Sequence, residues 1–166
     1  MAKDQHQKDL HLVGFRIGKE IFGVPIGLVL EIVRVPEITS VPDAPDYIEG
    51  VINLRGKIIS ILDLRKRFGE QNIVVHKKNR ILVAEIEGKM VGLIVDAASE
   101  VLKLPLSQVE APPNVFEDGE LNYVTGVGKL KDRLIILIDL TKILQKGELR
   151  HLGDISAQAA AAAATA

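Results

Sequence analysis

The chain has no cysteine and no tryptophan, and it carries four phenylalanines and two tyrosines in 166 residues. Without cysteine, disulfides, thiolate metal sites and a cysteine nucleophile are all excluded. So few aromatics leave little material for the stacking platforms of single-strand nucleic-acid binders. An excess of one charge is also missing: 21 basic residues stand against 22 acidic ones, for a formal net charge of -1. Neither nucleic acid nor anionic lipid is drawn by such a balance, so a partner has to be recognised by local surface, and another protein is the expected one. No apolar run approaches the roughly 20 residues that cross a bilayer, and the polar start Met1–Asp9 lacks the apolar centre of a signal peptide. A soluble, cytoplasmic protein is expected.

What the chain does have is branched aliphatic material, at 47% hydrophobic residues overall. Short stretches rich in Val, Ile and Leu recur at intervals of roughly 10 to 15 residues, separated by Gly, Pro, Asn or Asp, which is the pattern of an all-β protein. Gly18-Lys19-Glu20 lies between the apolar stretches 12–17 and 21–26, and Glu87-Gly88-Lys89 between 81–86 and 90–95. Both read as hairpin turns, because glycine accepts the positive φ that such turns require. At the far end, Ser156-Ala157-Gln158 followed by alanines is low-complexity sequence and is set outside the fold.

An internal repeat organises the rest. Glu31-Ile32-Val33-Arg34-Val35-Pro36 matches Glu100-Val101-Leu102-Lys103-Leu104-Pro105 in chemical type at every position. After a spacer, Tyr47-Ile48-Glu49-Gly50-Val51 matches Tyr123-Val124-Thr125-Gly126-Val127, and the stretch 57–64 matches 133–140. Each copy ends in an apolar strand, then Asp63 or Asp139 suited to cap a helix, a short amphipathic turn, and Gly69 or Gly147 suited to stop it. Units of this size with five or so strands commonly close into small barrels, which removes exposed sheet edges. The expectation is two five-stranded β-barrels side by side with short helical turns. Residues 1–9 form a flexible tail, 10–150 the folded domain, and 151–166 a disordered tail; the first barrel takes about 10–70 and the second about 71–150. The second copy also carries an extra loop around Asn114–Gly119 with an aromatic residue, a candidate contact element.

The search for chemistry is largely negative. His6, His11, His76 and His151 are scattered without metal-ligand spacing. Gly126-Val127-Gly128-Lys129 lacks the full phosphate-loop spacing and the following Ser or Thr. Asp63 and Asp139 occupy equivalent places, so a paired-carboxylate hydrolase is conceivable, yet capping accounts for both. No catalytic residue, metal or cofactor is assigned. Arg65-Lys66-Arg67 and His76-Lys77-Lys78-Asn79-Arg80 add local basic charge without interleaved aromatics, and read as solvated loops. A small-barrel nucleic-acid or ligand-binding module stands as the alternative function.

Surface recognition remains. The stretch Pro25–Val33 has too many apolar residues for one buried stripe, and Ile26, Val29 and Ile32 fall three apart, on one face of a turn-like segment. Its counterpart in the second copy is Val95–Leu102, so pseudo-symmetry brings two such segments toward a junction where clefts form. The run Tyr47-Ile48-Glu49-Gly50-Val51-Ile52-Asn53-Leu54-Arg55-Gly56-Lys57-Ile58-Ile59-Ser60-Ile61-Leu62-Asp63-Leu64 resembles the signature of the CheW family. Val91–Asp96, Tyr123–Gly128 and Asp132–Asp139 follow in family order, so that the resemblance covers about residues 10–148.

The resemblance implies two five-stranded SH3-like barrels, with one terminal strand crossing between them, and a non-enzymatic adaptor of bacterial chemotaxis. Such an adaptor joins methyl-accepting receptor tips to the regulatory domain of the histidine kinase CheA, in the cytoplasm at membrane receptor arrays. Carried over by motif, a receptor-binding groove takes in Val13, Ile26, Val29, Glu31, Ile32, Arg55, Ala98 and Val101. Arg55 serves either at the groove's rim or as an internal partner of Glu31. Kinase contacts fall on Ile38, Val115 and Phe116.

Overall fold

The computed structural model describes residues 8–70, 73–112 and 123–144, with Ser99 and Glu100 described in their backbone alone. Strand β1 (Asp9–Ile17) and β2 (Glu20–Pro25) form the first expected hairpin; a 3-10 turn at Ile26–Leu28 leads to β3 (Val29–Arg34). Strands β4 (Ile48–Leu54) and β5 (Lys57–Asp63) run into helix α1 (Leu64–Arg67). The second copy repeats the plan with β6 (Arg80–Ile86), β7 (Lys89–Val95), β8 (Ala97–Pro105), a 3-10 turn, β9 (Val109–Glu110), β10 (Val124–Leu130), β11 (Arg133–Ile138) and α2 (Leu140–Ile143). The first strand starts at Asp9, inside the stretch expected to be tail.

Turn chemistry follows the sequence. Glu87 and Gly88 take φ of 50° and 79°, and Arg55 and Gly56 take 52° and 87°, the paired positive values of a hairpin turn whose twist matches its strands. Asp63 accepts from the Arg65 amide and Asp139 from the Thr141 amide, each capping its short helix. Gly69, with φ of 80°, follows α1 as its stop, while Gly147 lies outside the described residues.

Strand pairing divides the copies differently from the expected boundary. One sheet has the order β3-β6-β7-β5-β4, the other β8-β1-β2-β11-β10-β9. Each copy therefore lends its opening hairpin to the sheet built by the other copy, through parallel pairings of β5 with β7 and of β2 with β11. This corrects both the barrel limits of 10–70 and 71–150 and the expected single crossing strand. Parallel neighbours cannot be joined by a tight turn, so no local signal in the sequence announces them. Both sheets curl into SH3-like barrels. In the first, the backbone groups of Thr39 and Val51 exchange hydrogen bonds of 3.0 and 2.9 Å and close the cylinder. In the second, β9 pairs with β10 at the equivalent place.

Three cores result. Ile52, Ile59, Ile61, Ile81, Val83 and Ile94 fill one barrel, and Leu12, Leu102, Leu104, Ile135 and Leu137 fill the other. The largest lies between the barrels and draws on both, including Val13, Phe15, Val24, Leu62, Leu82, Ala84, Leu93 and Ile138. Strands such as β6 thus bury one face in a barrel and the opposite face in the shared core, which is why they read as continuous apolar runs instead of alternating ones. Gaining a second buried face also stabilises these short strands, at about 25 cal/mol for each Å2 of apolar surface removed from water.

Candidate functional site

The apolar excess of the stretch 25–33 is resolved by a β-bulge. Val29 pairs with Ala84, but Glu31 pairs with Val83 and Ile32 with Leu82, so one extra residue interrupts the ladder. The alternation is shifted by the bulge, and Val29 and Ile32, three apart, share the face directed at the shared core. An equivalent bulge lies opposite Gly14 and Phe15, where Ala98 pairs with Phe15 and Val101 with Val13. Ala98 consequently joins the same core from the other barrel, and Val101, paired with Val13, stands exposed outside it. The three-residue spacing read as one face of a turn-like segment is a 3-10 turn at Ile26–Leu28 followed by a bulged strand.

β3 and β8 are edge strands of their sheets, and β6, the neighbour of β3, packs against β8. Both edges border the shared core, β3 through Val29 and Ile32 and β8 through Ala98, and this border is the seam between the barrels. Val29 and Ile32 are half-buried against the shared core, Ile26 is 41% exposed, and Val101 is 62% exposed. Val13 and Ala98 are placed differently from the sequence expectation. At 3% and 7% exposure they belong to the core and form the floor beneath the seam, instead of lining its open surface.

Glu31 points to the opposite face of β3. There it borders a cavity of about 260 Å3 with Leu30, Leu54, Arg55, Lys57, Val83 and Met90. Arg55 sits at the first position of the β4–β5 turn, where its positive φ aims the side chain back across the barrel end, and its Nη1 donates to Glu31 Oε2 at 2.6 Å. Arg55 thus pairs with Glu31, while 75% of the arginine side chain stays exposed. Ile38 is half-buried against the core of the first barrel. Val115 and Phe116, with the rest of the extra loop, lie outside the described residues.

Sequence reasoning missed the ionic centre around Arg65, which it had grouped with solvated basic loops. The Arg65 side chain is 5% exposed, and its guanidinium donates to Asp63 Oδ1 and Oδ2 and to Asp96 Oδ1, all at 3.0 Å. Burial opposes its charge, but the hydrogen bonds it donates to the two carboxylates outweigh that and raise its pKa above the usual arginine value. Asp96 Oδ2 accepts from the Gly18 amide at 2.7 Å, and the Asp96 amide donates to the Arg16 carbonyl, so this centre ties α1 to the first hairpin turn of the other barrel. Lys66 pairs with Glu49, whose hydrogen bond raises the lysine pKa. The only signal available was position: Arg65 follows its capping aspartate by two residues.

Asp63 and Asp139 do not form the paired-carboxylate site considered for a hydrolase. Asp63 is committed to Arg65, and Asp139 to the amide and hydroxyl of Thr141, while the cavity that Asp63 borders does not include Asp139. Among the described residues, no three His, Asp or Glu side chains gather closely enough to hold a metal ion. No helix of the described residues is long and apolar enough to cross a membrane.

Comparison with known proteins agrees with this picture. A family model, the CheW-like domain, matches residues 11–148. The chain is 34% identical over 142 residues to the chemotaxis protein CheW of Klebsiella aerogenes, covering 86% of each. Against the probable chemotaxis protein CheW of Rhizobium etli the identity is 36% over 147 residues, covering 89% of this chain and 95% of the relative. A crystal structure of the scaffolding protein TtCheW from Thermoanaerobacter tengcongensis superimposes with a TM-score of 0.77 at 40% identity, across 86% of this chain and 97% of that one. With twin barrels, an apolar seam and a family match over most of its length, the chain belongs to the CheW-like family of non-enzymatic chemotaxis scaffolds.

Proposed function

We propose that this chain couples chemoreceptor cytoplasmic tips to the regulatory domain of CheA, and that it works in the cytoplasm at membrane receptor arrays. The observation that carries the receptor half of this reading is the seam. Ile26 and Val101 keep exposed apolar surface, and Val29 and Ile32 are half-buried against the core that the two barrels share. A receptor tip is a helical hairpin, and the apolar stripe of a helix fits such a groove with anchors three and four residues apart. Glu31, on the opposite face of β3 and held through Oε2 by Arg55, supports the strand that carries Val29 and Ile32.

The kinase half assigns contacts to Ile38, in the connection that follows β3, and to Val115 and Phe116 in the extra loop of the second copy. In this reading the kinase contacts are separate from the receptor groove, so that both partners are held at once. A titration of the isotopically labelled chain, first with a receptor tip fragment and then with the CheA regulatory domain, tests the assignment. The reading predicts saturable shifts at Ile26, Val29 and Val101 with the receptor, and at Ile38 and residues 115–116 with the kinase domain. Absence of shifts with both partners overturns it.

A further inference from the structure

We infer that the hollow between the first hairpin turn and the stretch linking the two sequence copies binds a small aliphatic amino acid, held at both of its charged ends. The cavity has a volume of about 450 Å3, within the range of small-molecule sites. No residue of the connection between β3 and β4 borders it, and none of the residues assigned to the receptor groove or to the kinase. Its walls are held in place by buried polar groups. Arg65 donates to the Val74 carbonyl at 3.1 Å, and Asn79 accepts from the His76 amide at 2.9 Å. The Asn79 side chain also donates to the Asp96 carbonyl at 3.1 Å, which pins the linking stretch to the start of β8.

The charged groups around the cavity fall into two sets. Arg65 and Asp96 are spent on each other, on Asp63 and on the Gly18 amide. Arg16 and Glu70 are not spent. Among the described residues neither side chain has an ion pair, nor do the two pair with each other. Glu70 is seated over bare backbone: a β-carbon at Gly18, whose φ is 60°, would come within 2.8 Å of the Glu70 Oε1. Two opposite charges left apart around one hollow suit a zwitterion, whose ammonium meets Glu70 and whose carboxylate meets Arg16, with Lys78 as a second cation bordering the same space. Ile73, Val74 and Ala97 make the rest of the lining aliphatic, and Val74 leaves 67% of its surface exposed. A hydrocarbon side chain laid there removes apolar surface from water. An inorganic anion or a simple amine satisfies one charge and leaves the other, whereas an aliphatic amino acid answers all three features.

The test titrates the isotopically labelled full chain with L-leucine and follows amide shifts at low salt. Two further titrants each lack one charge: leucinamide has no carboxylate, and 4-methylpentanoate has no ammonium. The inference predicts saturable shifts with leucine, in the millimolar range expected of so small a ligand, at residues 16–18, 70, 73–74 and 96–97. Leucinamide and 4-methylpentanoate should each bind at least roughly tenfold more weakly, and so should leucine itself to Arg16→Gln or to Glu70→Gln. Both substitutions fall at exposed positions, so the thermal midpoint should stay in place. Equal binding of either one-charge titrant, undiminished binding by either variant, shifts on another face, or no shifts at all would each overturn the inference. Because neither a receptor nor a kinase is present, failure here leaves the coupling reading to its own experiment.

Discussion

Single residues divide sharply by how much water reaches them. The Arg55–Glu31 pair is largely exposed on its arginine side, and such pairs contribute about 0–1 kcal/mol, so Arg55→Ala should leave stability nearly unchanged. Arg65 is the opposite case. Replacing it with Met strands the buried Asp63 carboxylate, and the expected loss is about 3–5 kcal/mol by denaturant unfolding. A loss under about 1 kcal/mol would mean that Asp63 and Asp96 find other donors. The alkaline limit is set at the same scale. Glu49 raises the Lys66 pKa above 10.5, and burial raises that of Tyr123 above 10.0. Both groups hold their protons more tightly when folded than when unfolded. Their contribution to stability is therefore complete at neutral pH and fades as pH climbs through the raised values. Tyr123→Phe combined with Lys66→Met should flatten the decline of the thermal midpoint above pH 10.0; an unchanged slope would place its origin elsewhere.

At the level of elements, the bulges and the barrel closures do the positioning. Gly50 has φ of 147°, and a methyl group there would come within 2.1 Å of the Thr39 carbonyl oxygen, the very group that closes the first barrel. Gly50→Ala should cost about 2 kcal/mol or more, whereas Gly27→Ala, in the turn before β3 with open space around it, should change stability by less than about 1 kcal/mol. Thermal unfolding of the two variants distinguishes closure from general glycine loss. Elements were legible in the sequence wherever chemistry is local. Gly18 and Gly88 marked turns, Asp63 and Asp139 marked helix starts, and the repeat fixed which strands correspond. The bulges were not legible, because Leu30 and Ser99 interrupt the ladders through pairing with distant strands and not through their own chemistry. The candidate site suffered accordingly. Residues three apart were recognised as sharing a face, but strand alternation could not separate Val101 on the surface from Val13 beneath it.

On the scale of the whole molecule, the exchanged hairpins make the two barrels one folding unit. The first copy supplies β1 and β2 to the second barrel and receives β6 and β7 in return, and the largest core belongs to both. A fragment of residues 1–70 should therefore stay unfolded alone and gain sheet structure when mixed with residues 71–166, as followed by circular dichroism. Cooperative folding of either fragment by itself would contradict the exchange. Rigidity of this kind suits a scaffold, since a seam between two barrels that cannot separate keeps its shape while another surface is occupied. Coupling makes the corresponding demand that both partners bind together. The decisive measurement saturates the chain with the CheA regulatory domain, adds a receptor tip fragment, and follows the mass of the complex by light scattering during gel filtration. Coupling predicts one ternary species, formed by the wild-type chain and lost on the receptor side alone with Val101→Glu. Displacement of the kinase domain by the receptor fragment would show that the two partners compete for one surface, and would contradict the adaptor reading.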